Sequence, residues 1–249
     1  MSESSLAWGL HAVRESLLRA PERVLELWFL SGRADARMES LLALAREQGI
    51  ACQAVRRDTL DGMAHGGSHQ GVVARLAPAV PLDEDDLEAL LDRLDRPPLL
   101  LVLDGVQDPQ NVGACLRTAD AAGVDAVITP RDRAAGLTPA ARKAAAGAAD
   151  TVPLVRVVNL ARCLRNLKAR GIWLAGAEAG GQSAFKADLA GPLALVLGGE
   201  GAGLRRLTRE TCDLLVSLPM KGSVESLNVS VAAGALLYLA LAQRQPGAK

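Results

Sequence analysis

Residues 99–103 read Leu-Leu-Leu-Val-Leu, an unbroken aliphatic run, and this constrains the fold more than any other feature. A strand with one wet face alternates apolar and polar residues. A continuous run marks a strand covered on both faces, as in parallel sheets flanked by helices. The pattern then recurs: apolar runs at 126–129, 152–155, 172–176, 193–197 and 214–218 alternate with helical patterns after Asn111, at 138–146, at 160–170 and from about 204. A helix over 226–243 closes the series. Pro139 suits a first helical turn, and Asn111 and Asn159 suit N-caps. Such alternation predicts an α/β domain over 99–249, with a mostly parallel sheet between helices.

The first 76 residues form a separate, smaller α/β pattern. A short helix is expected near 9–19, a strand at 24–30, a helix at 35–48 stopping at Gly49, and strands at 50–55 and 72–76, with a loop at 65–71 before the last. Pro78, Pro81, Pro97 and Pro98 bracket an acidic stretch of helical pattern at 83–94, so 77–98 reads as a linker. The tail at 246–249 is expected to fray.

Bulk properties exclude more than they assign. Formal net charge is zero, so no global basic field advertises nucleic acid, and only a local patch would serve. Four scattered cysteines (Cys52, Cys115, Cys163, Cys212) contain no Cys-x-x-Cys pair, which argues against a zinc site or disulfide framework and for reduced, cytoplasmic thiols. The opening residues Met-Ser-Glu-Ser-Ser show no basic stretch followed by an apolar one, so no signal peptide is expected. The longest apolar run, 231–242, is short for a bilayer, so no membrane association is expected. His65 and His69 stand four apart, but in a glycine-rich loop rather than on a helix face, so no metal site is expected.

Three segments carry polar residues that a plain strand–loop–helix turn does not need. The first, 104–119, includes Asp-Pro at 108–109, Asn111 and Arg117. The second runs from the strand at 195–197 into Gly198-Gly199-Glu200-Gly201-Ala202-Gly203. It is neither a Gly-x-Gly-x-x-Gly dinucleotide fingerprint, since Leu204, Arg205 and Arg206 follow, nor a Walker-type loop, since no Gly-Lys-Ser/Thr occurs. Glu200 among glycines repels phosphate and suits a cationic centre, a ribose hydroxyl or an arginine. The third, 218–232, holds Pro219, Gly222, Ser226 and Asn228; Ser226 could cap the last helix, with Asn228 in its first turn. All three lie where strands give way to helices, the edge at which open α/β sheets bind ligands.

Together these segments resemble the SpoU (TrmH-type) RNA 2′-O-ribose methyltransferases. Asp-Pro-x-Asn-x-Gly-x-x-x-Arg-Thr-Ala at 108–119, Gly-Gly-Glu-Gly-x-Gly at 198–203, and Leu-Pro-Met-x-Gly-x-x-x-Ser-Leu-Asn-Val-Ser-Val-Ala at 218–232 match that family's three motifs in order. The N-terminal residues 8–13, 20–23 and 69–71 resemble the branch that methylates a guanosine in the peptidyl-transferase loop of 23S rRNA, with Trp8 where that branch has tyrosine. The resemblance implies a trefoil knot near the C-terminus and S-adenosylmethionine as methyl donor, held by Gly198, Gly199, Leu218, Met220, Gly222 and Leu227. It implies a reacting centre of Arg117, Glu200, Asn111, Ser226 and Asn228. It also implies a homodimer formed by the catalytic domains, each site drawing on both subunits, and an N-terminal module that binds 23S rRNA, free or in a pre-ribosomal particle. Arg117 is then either a perturbed base or, as its high intrinsic pKa favours, a clamp on the substrate phosphate and the 2′-oxygen.

Overall fold

The computed structural model describes residues 5–33, 35–77, 82–201 and 203–244. The chain divides into two compact units, Met1–Val80 and Pro81–Lys249.

The first unit comprises β1 (Ser5–Trp8), α1 (Leu10–Arg19), β2 (Val24–Leu30), α2 (Ala36–Glu47), β3 (Cys52–Val55), α3 (Arg57–Ala64) and β4 (Val72–Leu76). Its sheet runs β1-β4-β2-β3, antiparallel except where β2 meets β3. α2 starts where Asp35 accepts the Met38 N–H at 3.1 Å, and its apolar face buries Met38, Leu41, Leu42 and Ala45. These pack with Val13 and Leu17 of α1 and with Leu27, Val72 and Leu76 of the sheet. Two elements differ from the sequence expectation. β1 is four residues, too short for a period to register, and is held by β4 through partners some seventy residues away. α3 fills a stretch to which the sequence pattern assigns no element, just before the expected 65–71 loop; Leu60 and Ala64, one turn apart, fix it by burial despite Gly62.

The second unit comprises α4 (Glu84–Asp92), β5 (Leu99–Asp104), α5 (Pro109–Ala121), β6 (Ala126–Pro130), α6 (Pro139–Ala145), α7 (Ala148–Thr151), β7 (Leu154–Val157), α8 (Leu160–Ala169), β8 (Trp173–Ser183), β9 (Leu193–Gly198), α9 (Arg206–Thr211), β10 (Leu214–Ser217) and α10 (Val229–Arg244). The six strands lie in the order β10-β8-β9-β5-β6-β7, and every pairing is parallel. β5 is buried throughout and divides its side chains between two cores. Leu99, Leu101 and Leu103 pack with Val112 and Leu116 of α5 and Leu236 and Leu237 of α10. Leu100 and Val102 pack with Leu87 and Leu91 of α4 and Leu164 and Leu167 of α8.

The expected 77–98 linker is therefore corrected in part. α4 is capped by Asp83, which accepts N–H groups of Asp85 and Asp86, and its buried leucines belong to the second core. The acidic face that read as linker is its solvent side. The 78–81 part of that stretch lies outside the described residues, as do 1–4 and the 245–249 tail.

Strand order positions the site. From β5 the chain moves outward through β6 and β7, then returns to place β9 on the other side of β5. The C-terminal ends of β5 and β9 thus flank the point where the order reverses, the usual crevice of an open parallel sheet. Asp104 and Gly198 are the register partners there.

Candidate active site at the β5–β9 switch point

Asp104 ends β5 with its side chain fully enclosed. One carboxylate oxygen accepts the Arg205 backbone N–H at 3.0 Å, and the other takes the Arg205 guanidinium in an ion pair. Its carbonyl accepts the Gly199 N–H at 3.0 Å. A buried carboxylate needs this degree of satisfaction, because an unpaired charge there costs several kcal/mol. Asp104 thus pins both ends of the 199–205 loop to the strand beside it. Sequence reasoning missed this role, although an acid closing an all-apolar strand is the available signal.

The loop folds tightly on itself. Gly203 donates to the Gly199 carbonyl at 3.1 Å. A Cβ at Gly198 would lie 2.0 Å from the Gly203 carbonyl carbon, and one at Gly199 2.5 Å from the Gly105 oxygen. These two glycines are therefore required by the chain's own backbone, before any ligand. Gly201 and Gly222 face open space within 4 Å.

Asn111 lies in the first turn of α5, and the expectation that it caps that helix is corrected. Asp108 is the cap, accepting the Gln110 N–H at 2.9 Å, and Pro109 follows as the first helical residue. The Asn111 amide is thereby free to face the switch point. Though itself buried, it donates from Nδ2 to Glu200 and accepts at Oδ1 from Asn228 Nδ2 at 3.0 Å. Asn228 likewise stands outside its helix, which starts at Val229 rather than 226. Its Oδ1 accepts the Ser230 N–H at 2.9 Å and the Ser230 hydroxyl at 2.6 Å, and its carbonyl accepts the Ala232 N–H. Asn228, not Ser226, caps α10.

Asn111, Glu200 and Asn228 thus form one relay with a residue from each segment, separated by 89 and 117 positions from Asn111. The acceptor carboxylate makes the first link charge-assisted, worth about 1.5–3 kcal/mol against about 1 for the second. Glu200 remains exposed at the loop tip, its orientation set by an amide that is buried.

The other expected residues are placed differently. Arg117 is exposed and makes no hydrogen bond or ion pair among the described residues. It lies six residues beyond Asn111 on α5, about 9 Å of rise and roughly 120° around the axis. Ser226 is exposed and likewise without a side-chain hydrogen bond. Leu218 is half-buried against the α5–α10 core and Met220 is also half-buried, whereas Gly222 and Leu227 are exposed in the loop between β10 and α10. Among the described residues, no group of three or more His, Cys, Asp or Glu is arranged to hold a metal, and no helix is long and apolar enough to cross a membrane.

Residues 98–238 match the model of the SpoU rRNA Methylase family. The chain belongs to the SpoU rRNA methylase family. Residues 6–81 of this SpoU protein match a second model, described as RNA 2′-O ribose methyltransferase substrate binding. A Pseudomonas putida protein named 23S rRNA (guanosine-2′-O-)-methyltransferase RlmB is 52% identical over 246 residues, covering 98% of this chain and 99% of its own. The protein of that name from Haemophilus influenzae is 54% identical over 243 residues, covering 97% and 98%. Among solved structures, the SpoU methyltransferase AviRb from Streptomyces viridochromogenes, in complex with AdoMet, is 29% identical with a TM-score of 0.69, covering 97% of this chain and 90% of its own. A TrmH/SpoU tRNA modifying enzyme from A. aeolicus is 30% identical with a TM-score of 0.54, but covers only 65% of this chain and 83% of its own.

Proposed function

We propose that this SpoU protein transfers the methyl group of S-adenosylmethionine to the ribose 2′-oxygen of a guanosine in the peptidyl-transferase loop of 23S rRNA, in the bacterial cytoplasm. The observation that carries the reading is the Asn111 relay, which ties one polar residue from each motif to the switch point. Ribosomal rather than transfer RNA is favoured because relatives named for 23S rRNA cover nearly the whole chain, while the likeness to the tRNA enzyme covers about two thirds.

The residues at this edge fit an adenosyl donor. Gly198 and Gly199 hold the tight turn that leads to Gly201, where main chain borders open space; Leu218, Met220 and Leu227 offer partly exposed apolar surface, and Gly222 leaves room for close approach. The donor supplies an electrophilic methyl on a cationic sulfur. Everything else falls to the protein. Glu200, aimed by Asn111, presents a carboxylate to that cationic surrounding or to a ribose hydroxyl. A ribose 2′-hydroxyl is a poor nucleophile, so it must give up its proton, here to solvent water, as its oxygen bonds the methyl carbon and the carbon–sulfur bond breaks to leave a neutral thioether; the negative charge that develops on that oxygen is met by a cation. Arg117, whose fork has no competing partner, clamps the adjoining phosphate and that oxygen. Ser226 and Asn228 orient the ribose.

Arg117 stands apart from Glu200 on the same chain. This supports a homodimer of second units in which each site takes its arginine from the other copy. The exposed apolar side chains of Val231 and Tyr238 on α10 suit such a contact. The reading includes a C-terminal knot, supported by the return of the chain from edge strand β10 to set α10 against α5 and β9.

The test is methyl transfer from labelled donor to 23S rRNA, to pre-ribosomal particles and to tRNA lacking the mark, followed by mapping of the 2′-O-methyl position. Label on tRNA alone, or on no RNA, ends the proposal. Arg117→Lys keeps charge but loses the fork, and near-parental turnover would remove Arg117 from the reacting centre. Mixing Arg117→Ala with Glu200→Ala chains should restore activity to a fraction of dimers if sites are shared.

A further inference from the structure

The first unit carries two adjoining hollows that the reacting centre does not use. The larger, about 800 Å³, lies between the start of α1, the start of α2 and the 65–71 loop; the smaller, about 290 Å³, shares Arg33 and Gln70 with it. Arg14, Arg33, Arg37 and His11 line the larger one, and no carboxylate does. Resting on the reading of the protein as an rRNA methyltransferase, we infer that this cleft grips an unpaired stretch of the RNA substrate by its phosphates, with Arg14 and Arg37 as the contacting charges.

The basic residues divide by their existing partners. Arg33 is structural: its guanidinium is held by Asp35 and by the Gln70 carbonyl. Arg14 and Arg37 are exposed and have no hydrogen bond or ion pair from their side chains among the described residues. Two unpaired guanidinium forks facing one hollow free of carboxylates suit a phosphodiester, which accepts such forks bidentately.

Gln70, which lines both hollows, belongs to a 65–71 loop that is held by the chain's own contacts. His65 and Gln70 both adopt left-handed backbone (φ 46° each), a strain that persists only where the surroundings impose it. Gln70 Oε1 accepts the Leu10 N–H at 3.2 Å, tying the loop to the first residue of α1. His69 is buried, with Nε2 on Asp61 at 2.9 Å and Nδ1 accepting the Gly71 N–H at 2.9 Å. A cleft organised in advance avoids an ordering cost when it binds. Its size is within the range that encloses a small ligand. A-form duplex is read from outside, across its shallow groove, whereas splayed single strands enter hollows.

The experiment uses the full chain and a fluorescent single-stranded fragment of 23S rRNA, with affinity measured across a salt series. For Arg14→Ala/Arg37→Ala, dissociation constants should rise about tenfold or more, and the slope of log affinity against log salt should fall by about 1.4, from roughly 0.7 per single-strand phosphate. In methyl transfer the KM for RNA should rise far more than kcat falls. Arg14→Lys/Arg37→Lys should keep most of the salt slope. Arg46→Ala, removing one charge nine residues along α2 from Arg37, should behave as parent. Parental affinity and slope in the double alanine variant would overturn the cleft as an RNA grip. Equal competition by fully paired RNA would overturn the unpaired segment, and full displacement by guanosine monophosphate at equal nucleotide concentration would make the cleft a mononucleotide site. A parent that methylates no rRNA overturns the reaction instead, so the two failures are separable.

Discussion

The 65–71 loop of the first unit and the 199–205 loop of the second solve one problem by opposite means. Each is glycine-rich, each contains left-handed residues, and each is anchored by a buried titratable side chain. In the first the anchor, His69, belongs to the loop and holds an N–H two residues away. In the second the anchor, Asp104, sits on a neighbouring strand about a hundred positions distant. The first loop is a local structure that needs little beyond its own unit. The second exists only when β5 and β9 are paired, so the switch-point edge and the sheet must form together.

Substitutions can break this contrast. The largest effect is expected for Glu200→Ala, which empties the tip of the non-locally anchored loop: turnover should drop about a hundredfold or more, as for loss of one positioned polar group at a reacting centre. RNA affinity should hold near parent; a parental turnover would detach the relay from the chemistry. Asp104→Asn comes next. It keeps the volume but removes the charge paired with Arg205. Because Arg205 is 44% exposed, the cost should be about 2 kcal/mol rather than the larger cost of a fully buried pair, lowering the melting temperature of the second unit by roughly 4–8 °C.

His69→Ala should cost less, about 1 kcal/mol, and should act locally. Hydrogen exchange should quicken within 65–71 while the 199–205 loop keeps its protection. Accelerated exchange in both loops would refute the independence of the two anchors.

The smallest effect concerns the thiols, and it sharpens the comparison between units. Burial pushes Cys115, Cys163 and Cys212 of the second unit up to about 12, and raises Cys52 of the first less far. Near pH 8, alkylation of the folded chain should reach Cys52 first and leave Cys115 and Cys163 unmodified. A thiol raised on folding lends its stability in full below the unfolded value near 9 and loses it as pH rises toward 12, since the unfolded chain ionises first. Denaturant midpoints should therefore decline over that window, and more for the second unit.

Much of this was legible in the residues. The strands at 24–30 and 72–76 stand where the pattern put them, and Asn159 caps α8 as its type suggests. The errors cluster at helix starts. Asn111 and Ser226 read as caps because their side chains are cap formers, yet Asp108 with Pro109, and Asn228, hold those positions. Propensity ranks candidates at a helix end but does not choose among neighbours. Burial of Val112 and Cys115 against the sheet sets the phase of α5, and that phase turns Asn111 inward and Arg117 outward. The same limit holds for α4: its acids are evident in the sequence, but its two buried leucines matter only beside β5 and β7.

The order of apolar runs and the three polar segments are properties of the sequence, because period and residue type are local, and they determined the class of fold and the chemistry on offer. Which segments meet is different. Tertiary structure alone brought Asn111 to Glu200 and Asn228, enclosed Asp104 beneath the glycine loop and left Arg117 unpaired, because these contacts depend on β9 inserting beside β5. That pairing is fixed by the packing of two leucine-rich cores on either face of a single strand, over separations that no local pattern encodes.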